Sequence, residues 1–323
     1  MGSESVGTPL LWGGFLLFVL AMLALGLGLF ERKADVIHFK EALGWSLMWI
    51  ELALAFNVGV YFMFGAERGL QFLTGYLIEK ALSVDNLFVF LVVFSFFRVP
   101  DNLQHRVLFW GIFGALVLRA AFIFAGVALI EKFDWVLYLF GAFLIFTAIK
   151  LVFSESEHVD PEKSKFLKLI HRVVPMHDEL DGQRLFTRAN GKRLATPLFA
   201  VLLLIEMTDV LFAVVSVPAV LAVSHEQFIV FSSNAFAFLG LRALYFLLAD
   251  MHARFSYLQE GLAIILAFVG VKMLINEWYH IPTWLSLMVI ALVLLASVGF
   301  SLKRTVVPDT IEIPEELPPV DER

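Results

Sequence analysis

The chain has 323 residues, of which 60% are hydrophobic and 17% are charged, with 34 phenylalanines and a formal net charge of −6. Its mean hydropathy of +0.83 excludes a water-soluble globular protein of this length and indicates one that crosses a membrane several times. The chain has no cysteine, which excludes disulfides, thiolate catalysis and thiolate metal sites.

Nine apolar segments approach the length of about 20 residues that a helix needs to cross a bilayer. They fall at residues 10–30, 43–64, 70–96, 108–130, 134–153, 197–222, 227–249, 256–276 and 283–302. The first segment follows an N-terminus without basic residues or a small-residue cleavage pattern, so it is predicted to be a span and not a signal peptide. The predicted fold class is therefore all-α, a polytopic membrane protein with nine transmembrane helices.

Basic residues predict how these spans are oriented. With the N-terminus outside, seventeen lysines and arginines fall in inner segments and only two, Arg68 and Lys132, fall in outer loops. Inner loops of membrane proteins carry the excess of basic residues. We therefore expect the N-terminus outside and the C-terminus in the cytoplasm.

The long polar connection at residues 154–196 is predicted to lie in the cytoplasm. Four of its apolar residues recur at the spacing of one helix face, with basic residues between them, which predicts an amphipathic helix on the inner membrane face. These four are Phe166, Leu169, Ile170 and Val173. Further along, Asn190-Gly191 between short apolar and basic segments predicts a tight hairpin turn.

A group of histidine and acidic residues in the same connection raises the question of a metal site. The group consists of His171, His177, Asp178, Glu179 and Asp181. Their spacing matches no known pattern of metal ligands, which favours a solvated acidic loop.

Charged residues inside the apolar segments recur as two sets of an aspartate, an arginine and a lysine in successive spans. The first set is Asp85, Arg119 and Lys150, and the second is Asp209, Arg242 and Lys272. The sequences around them also agree, with DNLFV matching DVLFA and LRAAF matching LRALY. Because each unit contains three spans, the second copy enters the membrane from the opposite side. Such inverted repeats are typical of secondary transporters, whose substrate site lies near the midplane.

The predicted organisation follows from these features. It comprises two N-terminal spans (1–64), a first three-helix repeat (65–153), the cytoplasmic connection (154–196), a second three-helix repeat (197–278), a ninth span (279–304) and a tail (305–323). The tail is acidic and proline-rich and is predicted to be disordered.

Polar residues inside the spans have structural as well as functional interpretations. For the two arginines, pairing with the carboxylates is favoured, because an unpaired arginine within a membrane is costly. Lys150 and Lys272 lie near span ends, where extension to the interface and a functional role are equally open. Asn57 and Asn234 would either line a path or form hydrogen bonds between helices.

Acidic residues of the third and sixth segments form the candidate ion site. Glu206 and Asp209 are three residues apart and share one helix face. Glu79 and Asp85 are six apart and would meet only in a broken helix or at a wide site. With Asn86, these residues would offer oxygen ligands without imidazole or thiolate, a set that suits Mn²⁺, Mg²⁺ or Ca²⁺.

Two functions remain open on these residues. One is transport of a divalent cation, in which protons compete with the cation for the carboxylates, so that proton-coupled antiport has a mechanism. The other is a non-transporting membrane scaffold, in which the buried charges form a structural ion-pair network. The sequence has no phosphate loop, zinc-protease motif or nucleophile elbow, so an enzyme is not predicted. We expect the bilayer, the cation and protons as partners, without a prosthetic group or nucleic acid, and protein partners stay undefined.

Five segments of the chain carry a resemblance to a known family. They are EKALSVDNLFVF, VLRAAFIF, IEMTDVLFAVVSVPAV, SSNAFAFLGLRALYFLL and VKMLI. In order and spacing they resemble the TerC family of integral membrane proteins, in particular its alkaline-inducible Alx-like branch, over nearly all nine segments. The resemblance implies a bacterial inner-membrane protein that exports Mn²⁺, with Glu79, Asp85, Asn86, Glu206 and Asp209 as ligands.

The chain departs from the family pattern at two places. Members usually carry an aspartate where this chain has Val215, and often one in the first span, where this chain reads LALGLGLF. A second alignment of the repeats sets Val215 against Asp85. Both departures concern the number of acids available to a cation.

Overall fold

The computed structural model describes residues 6–30, 39–97, 99–133, 135–153, 182, 184–189, 192–249, 258–276, 278–279 and 281–304. Within these ranges it contains ten α-helices and one antiparallel pair of strands. The helices are α1 Pro9–Phe30, α2 Phe39–Phe64, α3 Ala66–Phe96, α4 Asp101–Lys132, α5 Val136–Phe153, α6 Pro197–Leu221, α7 Gln227–Leu239, α8 Leu241–Ala249, α9 Leu258–Ile275 and α10 Thr283–Arg304. The strands are β1 Phe186–Ala189 and β2 Lys192–Ala195.

The apolar segments predicted from the sequence are helical in the structure, and the seventh is divided between α7 and α8 at Gly240. Within the described residues, five stretches are long and apolar enough to cross a membrane. They are Lys40–Phe64, Leu103–Lys132, Pro197–Leu221, Gln227–Leu247 and Thr283–Ser301. The helical, membrane-type fold is confirmed, while nine complete spans remain a prediction.

The outer surface of the helix bundle is strongly apolar. Leu17 of α1 is 70% exposed, Phe62 of α2 is 80% exposed and Phe146 of α5 is 64% exposed. A soluble monomer rarely exposes large contiguous apolar surface, because contact with water is unfavourable for it. The same surface suits the acyl chains of a bilayer.

The centre of the bundle is formed by α3, α6 and α7. Every residue of α7 from Phe228 to Leu239 is buried. Around this centre, α3 packs against both α6 and α7, α4 packs against α6, and α5 packs along α9. Aromatic rings fill much of the core, as where Phe56 of α2 meets Phe236 of α7 with 4.8 Å between ring centroids. Polar side chains on the inner faces of α3, α4, α6 and α7 are therefore enclosed together.

A short hairpin precedes α6. β1 and β2 pair antiparallel with Ala189 opposite Lys192, so the hairpin predicted at Asn190-Gly191 is confirmed by its strands. The Thr196 hydroxyl donates to the Arg184 carbonyl at 2.7 Å and joins the hairpin to the start of the helix. The predicted amphipathic helix, the histidine-containing loop and the tail lie outside the described residues.

Candidate functional site

The candidate site centres on Arg119 of α4, whose side chain is fully buried. Its Nη1 donates to Glu79 Oε1 of α3, to Ser216 Oγ of α6 at 2.6 Å and to Asn234 Oδ1 of α7 at 3.1 Å. Its Nη2 donates to Asp209 Oδ1 of α6 at 3.4 Å. One guanidinium therefore joins two carboxylates that come from different helices.

The contribution of α3 is one face of a continuous helix. Glu79, Ser83 and Asn86 are four and three residues apart, a spacing that aligns them along one side. All three are buried, and Asn86 Nδ2 donates to Asp209 Oδ1 at 3.2 Å. Glu79 and Asn86 thus reach the same centre without the helix break that Glu79 and Asp85 would need.

Helices α6 and α7 also direct polar side chains to Arg119. Asp209 and Ser216 are seven residues apart, so they lie on one face of α6 after two turns. Sequence reasoning misses Ser216 as a site residue, although its spacing from Asp209 is a signal. On α7, Asn234 Nδ2 donates to the Val230 carbonyl at 3.0 Å, which holds the amide with its oxygen toward Arg119.

Several buried oxygen atoms of this centre have no hydrogen-bond donor among the described residues. The five are Glu79 Oε2, Ser83 Oγ, Asn86 Oδ1, Glu206 Oε2 and Asp209 Oδ2. Buried polar atoms in proteins are usually hydrogen-bonded, and an unpaired one costs about 1–3 kcal/mol. The centre therefore offers more acceptors than Arg119 and Asn86 satisfy.

Glu206 lies at the edge of the centre, half-buried against α4. A Cβ atom at Gly114 would overlap with Glu206 Oε1, so glycine at this position leaves room for the carboxylate. Gly114 and Arg119 are five residues apart, about 7.5 Å along the axis of α4. Two acids of α6 thus face the same stretch of α4.

The other predicted basic residues lie away from Arg119. Arg242 Nη2 is 3.0 Å from His105 Nδ1. Lys272 is buried, and its Nζ donates to Ser286 Oγ at 3.0 Å, whereas Lys150 is exposed. The two predicted repeats therefore differ in where their arginines and lysines lie.

The remaining predicted residues are Asp85 and Asn57. Asp85 belongs to α3, but its side chain is outside the described part of the structure. Asn57 of α2 is half-buried, and its Oδ1 has no donor among the described residues. Among the residues that the structure describes, no three histidine or acidic side chains lie close enough together to hold a metal ion. The Arg119 guanidinium lies between Glu79 and Asp209 and donates to both.

A cavity of about 810 Å³, here named the outer vestibule, lies at the end of the bundle predicted to face outward. The first turns of α3, α5 and α10, the last turns of α4 and α9 and the α6–α7 connection line it. Its charged and titratable residues are Glu67, Arg68, Glu131, His225, Glu226 and Lys272. Partial burial lowers the pKa of His225, and the nearby carboxylate of Glu131 opposes this shift.

Close helix contact separates the outer vestibule from Arg119. At the base of the vestibule, Ser224 Oγ donates to Gln71 Oε1 at 2.9 Å. One turn deeper, a Cβ atom at Gly75 would lie 2.9 Å from Ser233 Oγ and 3.1 Å from Val220 Cγ1. Since α3 touches both α6 and α7 at Gly75, the vestibule ends above the Arg119 centre.

Comparison with known proteins identifies the family of the chain. An uncharacterized membrane protein of Myxococcus xanthus is 55% identical over 93% of this chain and 94% of its own length. A protein of Escherichia coli K12, named Alx and described as a proposed membrane-bound redox modulator, is 49% identical over 89% of this chain and 92% of its own length. No solved structure matches the chain. Residues 64–307 match the sequence profile of the Integral membrane protein TerC family, a range that includes every residue around Arg119, and the chain therefore belongs to the TerC family.

Proposed function

We propose that this chain is a secondary transporter that exports a hard divalent cation, with Mn²⁺ as the leading candidate, across the bacterial inner membrane in exchange for protons. The observation that carries the proposal is the set of buried oxygens without donors on Glu79, Asn86 and Asp209. Carboxylate and amide oxygens are ligands for Mn²⁺, Mg²⁺ and Ca²⁺ and suit Zn²⁺ or Cu²⁺ less well.

The charges of the centre support a divalent substrate. Among the described side chains of the centre, Glu79, Glu206 and Asp209 carry three negative charges when ionised, and Arg119 supplies one positive charge; Asp85 lies outside this count. The difference of two is the charge of one divalent cation, or of two protons that replace it. Because a cation and protons would occupy the same carboxylates, exchange of one for the other follows.

Helix packing supports the inverted repeat on which alternating access would depend. Exchange of the two proposed repeats converts the contact between α3 and α7 into the contact between α6 and α4, and the structure has both. The contact between α5 and α9 is converted into itself by the same exchange, because these helices are the last members of the two proposed repeats. Its helices meet closely, since a Cβ at Gly141 would lie 3.0 Å from the Gly270 oxygen and one at Gly270 would lie 2.8 Å from the Gly141 oxygen. Two such units around a central site are the arrangement that alternating access uses.

The outer vestibule supports release on the outer side. Its three glutamates outnumber Arg68 and Lys272 by one, and this excess of negative charge would attract a cation that leaves the centre. Separation of α3 from α6 and α7 at Gly75 would connect the vestibule to Arg119.

The name of the Alx relatives concerns redox modulation. Because this chain has no cysteine, it cannot act through thiol–disulfide exchange. Export of a redox-active cation would change the redox state of a cell without any thiol chemistry in the protein itself.

Cation uptake by inside-out vesicles tests the proposal, because export from the cell becomes uptake in this orientation. Vesicles would come from cells that lack their own Mn²⁺ exporters and produce the full chain. We expect Mn²⁺ uptake when the vesicle interior is acidic, loss of uptake in Asp209→Asn, and unchanged uptake in the control Glu260→Gln, which alters an exposed acid of α9. Equal uptake by the wild type and Asp209→Asn would contradict transport through this centre, and indifference to the pH gradient would remove proton coupling.

A non-transporting scaffold is the second candidate, and the enclosure of Arg119 by two carboxylates favours it. In a scaffold, Asp209→Ala would reduce thermal stability without any effect of Mn²⁺ on either protein. In a transporter, Mn²⁺ would raise the melting temperature of the wild type, because a ligand that binds only the folded state stabilises it. That increase would disappear in Asp209→Ala.

A further inference from the structure

We infer that Arg119 is a built-in competitor of the transported cation, whose guanidinium occupies the carboxylates and leaves them when the cation binds. The inference rests on the proposed function and concerns the regulation of the same site. Arg119 would thereby set how tightly the cation is held and how readily it is released.

The first argument is that Arg119 and the cation would use the same groups. Arg119 donates to Glu79 Oε1 and to Asp209 Oδ1, and both carboxylates are proposed cation ligands. Two positive groups within a few ångströms repel strongly in a buried, weakly polar centre. Binding of the cation to these carboxylates therefore requires the guanidinium to withdraw.

The second argument is that the hydrogen bonding between Arg119 and the two carboxylates is incomplete. Pairs between arginine and a carboxylate are frequently bidentate, with both carboxylate oxygens accepting from the guanidinium. Here each carboxylate accepts from Arg119 through one oxygen, while Glu79 Oε2 and Asp209 Oδ2 lack donors and Arg119 Nε lacks an acceptor among the described residues. The unused oxygens remain available to a second, incoming cation.

The third argument is that Arg119 has neutral partners on which it can remain. Ser216 Oγ and Asn234 Oδ1 accept from its Nη1, and the ring of Phe238 lies 4.4 Å from its Cζ. Hydroxyl, amide and aromatic groups stabilise a guanidinium without supplying negative charge. A small displacement toward these groups would release both carboxylates without moving Arg119 out of the bundle.

A competitor of this kind matches what an exporter needs. The apparent affinity of a site falls when a competing state must first be displaced. Without Arg119, several carboxylates in a buried centre would hold a divalent cation tightly and release it slowly. With Arg119 present, return of the guanidinium helps to expel the cation.

Binding of Mn²⁺ to the purified full chain tests this inference. Titration calorimetry would compare the wild type with Arg119→Gln, with Arg119→Lys and with the control Lys132→Gln, which removes an exposed positive charge from the end of the same helix, α4. We expect Arg119→Gln to bind Mn²⁺ at least about tenfold more tightly, since charge-assisted hydrogen bonds no longer compete. Arg119→Lys and Lys132→Gln should bind more nearly as the wild type does.

The melting temperature with and without a chelator provides a second measurement. Removal of Mn²⁺ should lower the melting temperature of Arg119→Gln much more than that of the wild type, because in this variant only Mn²⁺ balances the charge of the carboxylates. Recovery of folded Arg119→Gln only when Mn²⁺ is present would support the inference. Failure to fold both with and without Mn²⁺ would overturn it.

The outcomes separate this inference from the proposed function. If the wild type binds Mn²⁺ and Arg119→Gln binds it no more tightly, the competitor role is wrong and the transport proposal stands. If Arg119→Lys binds as tightly as Arg119→Gln, competition by charge is wrong. If neither the wild type nor any variant binds Mn²⁺, both the inference and the proposed function fail.

Discussion

Arg119 and Arg242 occupy corresponding positions in the two proposed repeats, but their surroundings differ. Arg119 is enclosed with the carboxylates of Glu79 and Asp209, whereas Arg242 Nη2 lies 3.0 Å from a nitrogen of His105. Among the described side chains, one acid from each proposed repeat, Glu79 and Asp209, thus meets the same arginine. A repeated residue type is therefore no guarantee of a repeated role, because its partners come from neighbouring helices.

Truncation of the two arginines should give the largest difference in stability between the surroundings of Arg119 and those of Arg242. We expect Arg119→Ala to lower the free energy of unfolding by about 3–5 kcal/mol, because it leaves buried carboxylates without the guanidinium that pairs with them. Arg242→Ala should cost less than half as much, since Glu79 and Asp209 keep Arg119 as their partner. Denaturant titration in mixed micelles with a chelator present would measure both, and equal losses would contradict the distinction.

Neutral replacements of the two acids of α6 test how far the Arg119 centre extends. We expect Asp209→Asn to weaken Mn²⁺ binding about a hundredfold and Glu206→Gln about tenfold, because solvent screens the half-buried acid more. Titration calorimetry on both variants would give the ratio. A larger effect at Glu206 would shift the cation site away from Arg119 toward Gly114.

Two glycines of α4 offer a matched pair at the edge of the centre. Alanine at Gly114 would overlap with Glu206 Oε1, whereas alanine at Gly111 would meet Ile205 Cγ2 at 3.2 Å. We expect Gly114→Ala to weaken Mn²⁺ binding roughly fivefold by displacing the carboxylate and Gly111→Ala to change it at most about twofold. Equal binding by the two variants would remove Glu206 from the site.

The corresponding lysines should show the smallest difference between the repeats. We expect Lys272→Met to lower the free energy of unfolding by about 1 kcal/mol, because the buried ammonium donates to Ser286. Lys150→Met should change it by less than about 0.5 kcal/mol, as exposed substitutions usually do. Thermal unfolding in detergent would measure both, and a larger loss at Lys150 would indicate a role that its exposure does not explain.

Part of the candidate site could be predicted from the sequence because buried charge in an apolar helix requires a partner. That reasoning selects Glu79, Asn86, Asp209 and Arg119, which the structure brings together. Their role as cation ligands stays a prediction. Ser216 is harder to recognise from sequence, because a single hydroxyl in a span more often bonds to its own helix.

By itself the sequence determined which apolar segments are helical and where the hairpin lies, because hydrophobicity and turn chemistry act locally. Tertiary structure alone decided that Glu79 of α3 and Asp209 of α6 share one guanidinium, and that Arg242 lies beside His105 instead. It also decided that α3 closes against α6 and α7 at Gly75. Partners on different helices depend on the rotation and approach of packed helices, which no local pattern in the chain encodes.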